Sequence, residues 1–201
     1  MTIFLLIRHA SHDLLGNTLA GRTRDVGLND QGHREAQALA TRLADIGLAA
    51  LYVSPRRRAH ETVAPLARRL GRTPTDLDAI DEVDFGAWSG RAFADLTSDA
   101  QWSVWCTQRS AAQPPAGETI GAVQQRVVAA MKSLRDTHPD QTTALVSHGD
   151  VVKVAIAHFL DLSLDHLERF DIAPASVSVV VMGRDWAQVR LVNWTGGLVV
   201  G

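Results

Sequence analysis

Short apolar runs that break off on polar residues recur along the chain. Thr2-Ile3-Phe4-Leu5-Leu6-Ile7 stops at Arg8-His9, Ala50-Leu51-Tyr52-Val53 at Ser54-Pro55-Arg56-Arg57-Arg58, and Ala144-Leu145-Val146 at Ser147-His148-Gly149. Apolar runs of this length, without alternation, read as strands buried on both faces of a parallel sheet. Between them the period changes to that of a helix. From about Asp30 to Ile46, residues Ala36, Leu39, Ala40, Leu43 and Ile46 share one face, Asn29 is placed to cap the start, and Gly47 supplies the stop. The strand at 49–53 feeds a second helix, about 56–70, that ends before Gly71.

The rhythm continues to the C-terminal part. Pro74 to Ile80 reads as a short third strand, followed by the turn-like Asp84-Phe85-Gly86-Ala87-Trp88-Ser89-Gly90. Thr119 caps a helix with Ile120, Val123, Val127, Ala130 and Leu134 facing inward, and His138-Pro139 ends it. A strand at 143–147 leads into a helix starting near Asp150. Val177–Met182 and 188–192 are closing strands, joined as a hairpin across Gly183-Arg184-Asp185. The expectation is an α/β fold: a three-layer α/β/α sandwich with a mostly parallel sheet and an antiparallel edge, forming one domain over 1–201. The most loop-like stretch, Ser98 to Glu118, carries Trp102, Trp105, Pro114, Pro115 and Gly117. It reads equally as an insertion over a pocket or as a surface loop packed by its own tryptophans.

Composition narrows the function. With 46% hydrophobic and 21% charged residues the chain is globular, and 20 Lys+Arg against 22 Asp+Glu give a net charge of −2. That balance argues against a broad basic face for nucleic acid or an anionic membrane, so any positive site is local. There is one cysteine, Cys106, hence no intrachain disulfide, and no apolar segment long enough to span a bilayer. The opening apolar stretch lacks a basic leader, and the expected compartment is the cytoplasm.

In parallel sheets ligands bind at the C-terminal ends of the strands, and three strand ends deliver His9, His148 and a set of arginines to one rim. Guanidinium groups grip phosphoryl oxygens bidentately, and a neutral imidazole attacks phosphorus. Arg56, Arg57 and Arg58 begin a helix, where the macrodipole disfavours cations unless a bound dianion compensates; at least one of the three is expected to be plain surface charge. Gly149, after His148, permits close approach to free amides at a helix start. Zinc is the obvious rival for a two-histidine site, but His9 and His12 lack helical spacing, and no cysteine pair or paired-carboxylate motif accompanies them. The histidines at 33, 60, 138, 158 and 166 fall on helices or their ends and read as surface or packing residues.

The segments Leu6-Ile7-Arg8-His9-Ala10, Ser54 to Thr62, Glu82 to Gly90, Gly117-Glu118-Thr119 and Val146-Ser147-His148-Gly149 together resemble the histidine phosphatase superfamily, the phosphoglycerate-mutase-like proteins. All five follow the family's order. The resemblance implies that His9 is the nucleophile, Arg8 and Arg58 bind phosphate, His148 is the second phosphate-pocket histidine, and Glu82 is the proton donor, with Asp84 as the alternative acid. It implies no metal and no cofactor. Glu82 must cycle between acid and base, so its pKa belongs near working pH; Arg8 and Arg58 disfavour a third cation and keep His9 neutral. The family's Gly after the nucleophile is Ala10 here, and its Asn six residues beyond the nucleophile is Leu15, for which Asn17 is the substitute. Arg22 and Arg24 are placed either to hold a second anionic group or to face solvent.

The compact chain fits a phosphatase acting on a small phosphorylated metabolite, with substrate choice expected in His12 to Asp25 and Trp102 to Glu118. The alternatives are phosphoglycerate-mutase-type transfer and a catalytically silent phosphate-binding module. A silent module would need the arginines but neither His9 nor Glu82. A homodimer through the edge hairpin and exposed tryptophans is compatible with the sequence.

Overall fold

The computed structural model describes residues 1–23 and 25–196; Arg24 lies outside the described residues. Six strands form one sheet: β1 (Thr2–Arg8), β2 (Leu48–Val53), β3 (Thr75–Asp76), β4 (Thr142–Ser147), β5 (Val177–Met182) and β6 (Ala187–Trp194), in the order β3-β2-β4-β1-β5-β6. The first four of that order run parallel; β5 is antiparallel to β1, and β6 to β5. The expected α/β/α sandwich with a mixed edge is therefore what forms.

The sheet is covered on both faces because its strands are apolar on both. Leu5 and Ile7 of β1 pack with Leu39 and Leu43 of α1 (Asp30–Leu43) and Val63 and Leu66 of α2 (Arg57–Leu70). Phe4 and Leu6 face the other way, into a cluster with Trp88, with Trp105 and with the later helices. Those elements are α3 (Phe93–Leu96), α4 (Ala100–Thr107), α5 (Ile120–Thr137) and α6 (Gly149–Phe159). Asn29 caps α1 by accepting from the Gly32 amide, Thr119 caps α5 through the Ala122 amide, and α2 ends at Gly71 in the left-handed conformation.

Some expectations shift. Helix α1 stops at Leu43, so Ile46 is exposed rather than part of the buried face. In α5 the buried face takes in Val128 and Met131, while Ala130 is half-buried. The third strand shrinks to two residues, and a short 3-10 turn covers Asp78–Ile80. The stretch from Ser98 to Glu118 is in part helical, because Asp99 caps α4 by accepting from the Gln101 and Trp102 amides. Trp102 and Trp105 stack edge-on against Trp88, and Trp105 also against Phe85. The reading of a segment packed by its own tryptophans is the one that holds. No described helix is long and apolar enough to cross a membrane.

Candidate active site

Strand register brings the rim together. Arg8 of β1 sits beside Ser147 of β4, and Val53 of β2 beside Val146, so the residues that follow emerge in one row. The His9 amide donates to the Ser147 carbonyl (2.8 Å), locking the first two strand ends together. A cavity of about 260 Å³ opens at this row, and its walls include Arg8, His9, His12, Arg58, Glu82 and Gly149.

His9 is 3% exposed. Its Nδ1–H donates to the Ala10 carbonyl (2.8 Å), which leaves the Nε2 lone pair free. Burial, then Arg58 and Arg8, holds the imidazole well below its ordinary pKa, so it is neutral. Ala10 has an ordinary negative φ and donates its amide to Thr62 Oγ1, so the methyl in place of a glycine hydrogen costs no backbone strain.

Among the described residues, the guanidinium groups are anchored on one side and unpaired on the other. Arg8 Nη1 donates to the Ile172 carbonyl (2.6 Å), and its Nε is buried with no partner. Arg58, 1% exposed, donates through Nη2 to the Gly21 carbonyl (2.8 Å) and His148 Nδ1 (3.0 Å), while Nε and Nη1 are buried without partners. Buried unpaired donors are costly, and a phosphoryl oxyanion would satisfy them. The other two arginines of the triplet are spoken for: Arg56 grips Asp81 bidentately (2.8 and 2.5 Å), and exposed Arg57 pairs with Glu61 (2.7 Å).

His148 is fully buried and is not among the residues that line the cavity. Because Arg58 donates to Nδ1, its proton sits on Nε2 and is given to Ser54 Oγ (2.7 Å); Ser54 in turn donates to Asp81 (3.2 Å). Burial first, then Arg58, depresses its pKa too. Its ring meets that of His9 edge-on, with centroids 5.2 Å apart. His148 thus stands behind Arg58 and His9 rather than on the cavity wall, and Gly149 takes the exposed place; a Cβ there would lie 3.3 Å from Arg8 Nε.

Glu82 lies 3.6 Å from Arg58 Nη2 and 3.4 Å from His148 Nδ1. Burial pushes its carboxyl up to about 7 against the pull of Arg58. The loop that carries it is braced: Arg22 Nε donates to the Glu82 carbonyl (2.8 Å), Arg126 donates to the same oxygen (3.2 Å), and Glu118 joins Arg22, Arg126 and the Asp84 amide. Arg22 therefore braces the acid's loop and does not line the cavity. Asn17 does not line it either: its carbonyl accepts from the Phe93 amide and its side chain is exposed. Asp84, the alternative acid, accepts from the Gly86 amide and is off the wall as well.

The stretch expected to govern substrate choice, His12 to Asp25, supplies the wall residues His12, Leu15 and Leu19, whereas Phe93, Lys153, Glu168, Asp171 and Ile172 were not singled out from the sequence. His12 is 5% exposed, its Nδ1 is buried and unpaired, and burial with the two arginines lowers its pKa to about 4. Leu15, Leu19, Phe85, Phe93 and Ile172 give an apolar side; Asp150, Lys153, Glu168 and Asp171 give a charged one. Nothing from Trp102 to Glu118 lines the cavity; that segment reaches it indirectly, through Arg109, which pairs with Asp150 and Glu168, through Trp105, which stacks on Phe85, and through Glu118, which holds the loop of Glu82. The motif spacing pointed to strand ends, whereas these groups arrive from loops and from one turn inside a helix.

His9, Glu82 and His148 also place one ligand atom each within 4.8 Å of one another, a spacing a metal ion could use. The donor chemistry fits poorly. Both nitrogens of His148 are engaged, by Arg58 and Ser54, and two guanidinium groups stand beside the cluster. A neutral imidazole with a free nitrogen, two guanidinium groups and a carboxyl of raised pKa are groups that phosphoryl transfer could use.

Comparison with known proteins agrees in fold and family. The sequence model described as histidine phosphatase superfamily, branch 1, matches residues 4–195. A bifunctional protein of Mycobacterium tuberculosis is 34% identical over 200 residues, 98% of this chain and 55% of the relative. The chain thus spans about half the length of the first curated relatives it matches. Phosphoserine phosphatase 1 of Hydrogenobacter thermophilus is 27% identical, covering 90% of this chain and 87% of the relative. Among solved structures, YhfR of Bacillus stearothermophilus superposes with a TM-score of 0.90 at 27% identity (95% of this chain, 96% of that one). A phosphoserine phosphatase mutant of Entamoeba histolytica, in complex with phosphoserine, gives 0.88 at 22% identity, covering 98% of both chains.

Proposed function

We propose that this chain, which belongs to the histidine phosphatase superfamily, hydrolyses a small phosphomonoester through a phosphohistidine on His9. The observation that carries the reading is the buried, neutral His9, its Nε2 free, in a cavity shared with the unpaired donors of Arg8 and Arg58 and with Glu82 at a pKa of about 7.

In the first half, His9 Nε2 forms the bond to phosphorus as the ester P–O bond breaks, and the departing alkoxide takes the proton of Glu82. In the second half, ionised Glu82 removes a proton from water, the oxygen attacks phosphorus, and the P–N bond breaks to restore neutral His9 and inorganic phosphate. Arg8 and Arg58 stabilise the charge that spreads over the equatorial oxygens, where each 1.4 kcal/mol of differential stabilisation is about tenfold in rate. His148 holds Arg58 in place. The scheme uses no metal. Its physiological setting is a cytoplasmic one, with a phosphorylated metabolite as partner.

The test is phosphate release from p-nitrophenyl phosphate and a panel of metabolite esters with EDTA present, for the native chain, His9→Ala and Glu82→Gln. EDTA-resistant turnover that His9→Ala abolishes and Glu82→Gln lowers by about 10²- to 10⁴-fold is expected. Turnover that EDTA removes would overturn the metal-free scheme, and no turnover of any ester would favour transfer or simple binding.

A further inference from the structure

Ser54 and Asp81 carry no step of the scheme above, yet they hold one of its groups from behind. The Ser54 amide donates to the Val146 carbonyl (2.9 Å), which places the residue where β2 and β4 end, and its side chain is fully buried. On one side Oγ lies 2.7 Å from His148 Nε2; on the other it lies 3.2 Å from Asp81 Oδ1. Asp81 is itself held. Arg56 grips it through two nitrogens, the Glu82 amide donates to its Oδ1 (2.8 Å), and Arg22 Nε lies 3.5 Å from Oδ2.

A hydroxyl has one proton to give. The carboxylate of Asp81, paired with Arg56, cannot donate and is the stronger acceptor. The Ser54 proton therefore goes to Asp81, and a lone pair of Oγ takes the Nε2–H of His148. The other nitrogen of the ring agrees: Arg58 Nη2 donates to Nδ1 at 3.0 Å, which requires a lone pair there. Nδ1 also lies 3.4 Å from Glu82 Oε2, whereas Glu82 Oε1 is taken by the Val83 amide. The opposite tautomer would aim Nδ1–H at Oε2, and a hydrogen bond of that kind favours the ionised carboxylate. It would work against the burial that pushes Glu82 up to about 7. The other groups facing Glu82 are Arg58 and Arg8, which pull it down, Asp150, which pushes it up, and neutral His9. Their charges are the same in both tautomers of His148.

We propose that Ser54 is a positioning residue: held by Asp81, its hydroxyl keeps the proton of His148 on Nε2, so that Nδ1 accepts from Arg58 and does not donate to Glu82. Glu82 thereby remains a proton donor in the range where the reaction runs. The effect on turnover rests on the phosphatase reading above, whereas the tautomer of His148 and the titration of Glu82 do not. In Ser54→Ala the Nε2–H loses its acceptor, since Asp81 Oδ1 is 3.9 Å away, and an unpaired buried donor is costly. The Nδ1–H tautomer, with Glu82 as its acceptor, is then the better one.

The experiment compares the native protein, Ser54→Ala and Ser54→Thr. It reads the tautomer of His148 by proton–nitrogen NMR, the midpoint of Glu82 by carboxyl-carbon NMR titration, and kcat/KM for p-nitrophenyl phosphate against pH. Native His148 is expected to carry its proton on Nε2. Ser54→Ala moves it to Nδ1 and lowers the Glu82 midpoint by about one to two pH units, the size of one hydrogen bond to a charged group; the alkaline limb of kcat/KM moves with it. Ser54→Thr, which keeps a hydroxyl, restores the native tautomer and midpoint. A serine that only supports the fold would lower the melting temperature, and the rate at every pH, without moving the midpoint. A proton on Nδ1 in the native protein, or an unmoved Glu82 midpoint in Ser54→Ala, overturns the proposal. If Ser54→Ala does not fold, Ser54→Cys decides: a thiol accepts only weakly, so the midpoint falls in the same direction, and an unmoved one overturns the proposal. No turnover of the ester, with the expected tautomers and midpoints, would defeat the phosphatase reading and still support the assignment of Ser54.

Discussion

His9 and Glu82 share one cavity, yet burial moves them in opposite directions on the pH axis. Glu82 has a folded pKa of about 7 against an ordinary 4.5. Its contribution to stability is present below about 4.5 and is lost as the pH rises through 7. Glu82→Gln keeps the acceptor for the Val83 amide and removes the buried charge. It should raise stability by about 1–3 kcal/mol at pH 8 and change it little at pH 4.5, as thermal unfolding at the two values would show. His9 has the opposite sign: its depressed pKa means stability is lost as the pH falls below the ordinary imidazole value of 6.5. In the proposed scheme the same titration governs chemistry, because the leaving group needs Glu82 protonated. Accordingly kcat/KM should decline above pH of about 7 in the native protein; a profile flat to pH 9 would remove Glu82 from the role of acid.

The loop that carries the acid depends on two backbones in close approach. Gly86 has φ of +50°, and a Cβ there would stand 2.0 Å from the Pro115 carbonyl oxygen. Gly117 faces the Asp84 carbonyl in the same way, at 2.3 Å. Gly86→Ala should therefore cost about 2 kcal/mol or more, and should reduce turnover with it because Glu82 is anchored to the same turn. Thr119→Ala removes one cap from α5 at a residue that does not line the cavity, and should cost about 1 kcal/mol with kcat unchanged; melting and initial rates together separate the two cases. The elements most legible in the sequence were those with a strong local signal. Apolar runs gave β1, β2, β4 and β5, and caps with periodic faces gave α1, α2 and α5. The residues at the strand ends followed from the runs themselves. What escaped was set by tertiary contact. Helix α4 hides between prolines and tryptophans, and only its Asp99 cap could have revealed it. The placement of Arg22 on the acid's loop follows from the Glu118 and Arg126 partners, which sequence spacing does not show. Lys153 and Glu168 meet across helix and turn, fifteen positions apart, with no motif to join them.

The whole chain carries a net charge of −2, yet its cavity concentrates Arg8 and Arg58. Binding should therefore be local and anion-specific. Inorganic phosphate should compete with substrate, while duplex DNA at moderate salt should not bind; DNA binding without turnover would point to another function. The two larger hydrophobic clusters share the central strands, with Phe4 and Leu6 in one and Leu5 and Ile7 in the other. Loss of either layer exposes the sheet, so a single folding unit is expected to unfold in one step. Tryptophan fluorescence reports the layer of Trp88 and Trp105, and far-UV circular dichroism reports both. Coincident denaturation curves agree with one domain, and separated curves contradict it. The proposed mechanism turns on a covalent bond to one nitrogen. Rapid acid-free quenching of the protein during turnover of a phosphomonoester, with EDTA present, followed by mass mapping of peptides, tests it most directly. The expected result is one phosphoryl group on His9, stable to alkali, labile to acid, and missing in His9→Ala. Sustained turnover with no phosphoryl group on His9 at any time point would contradict it.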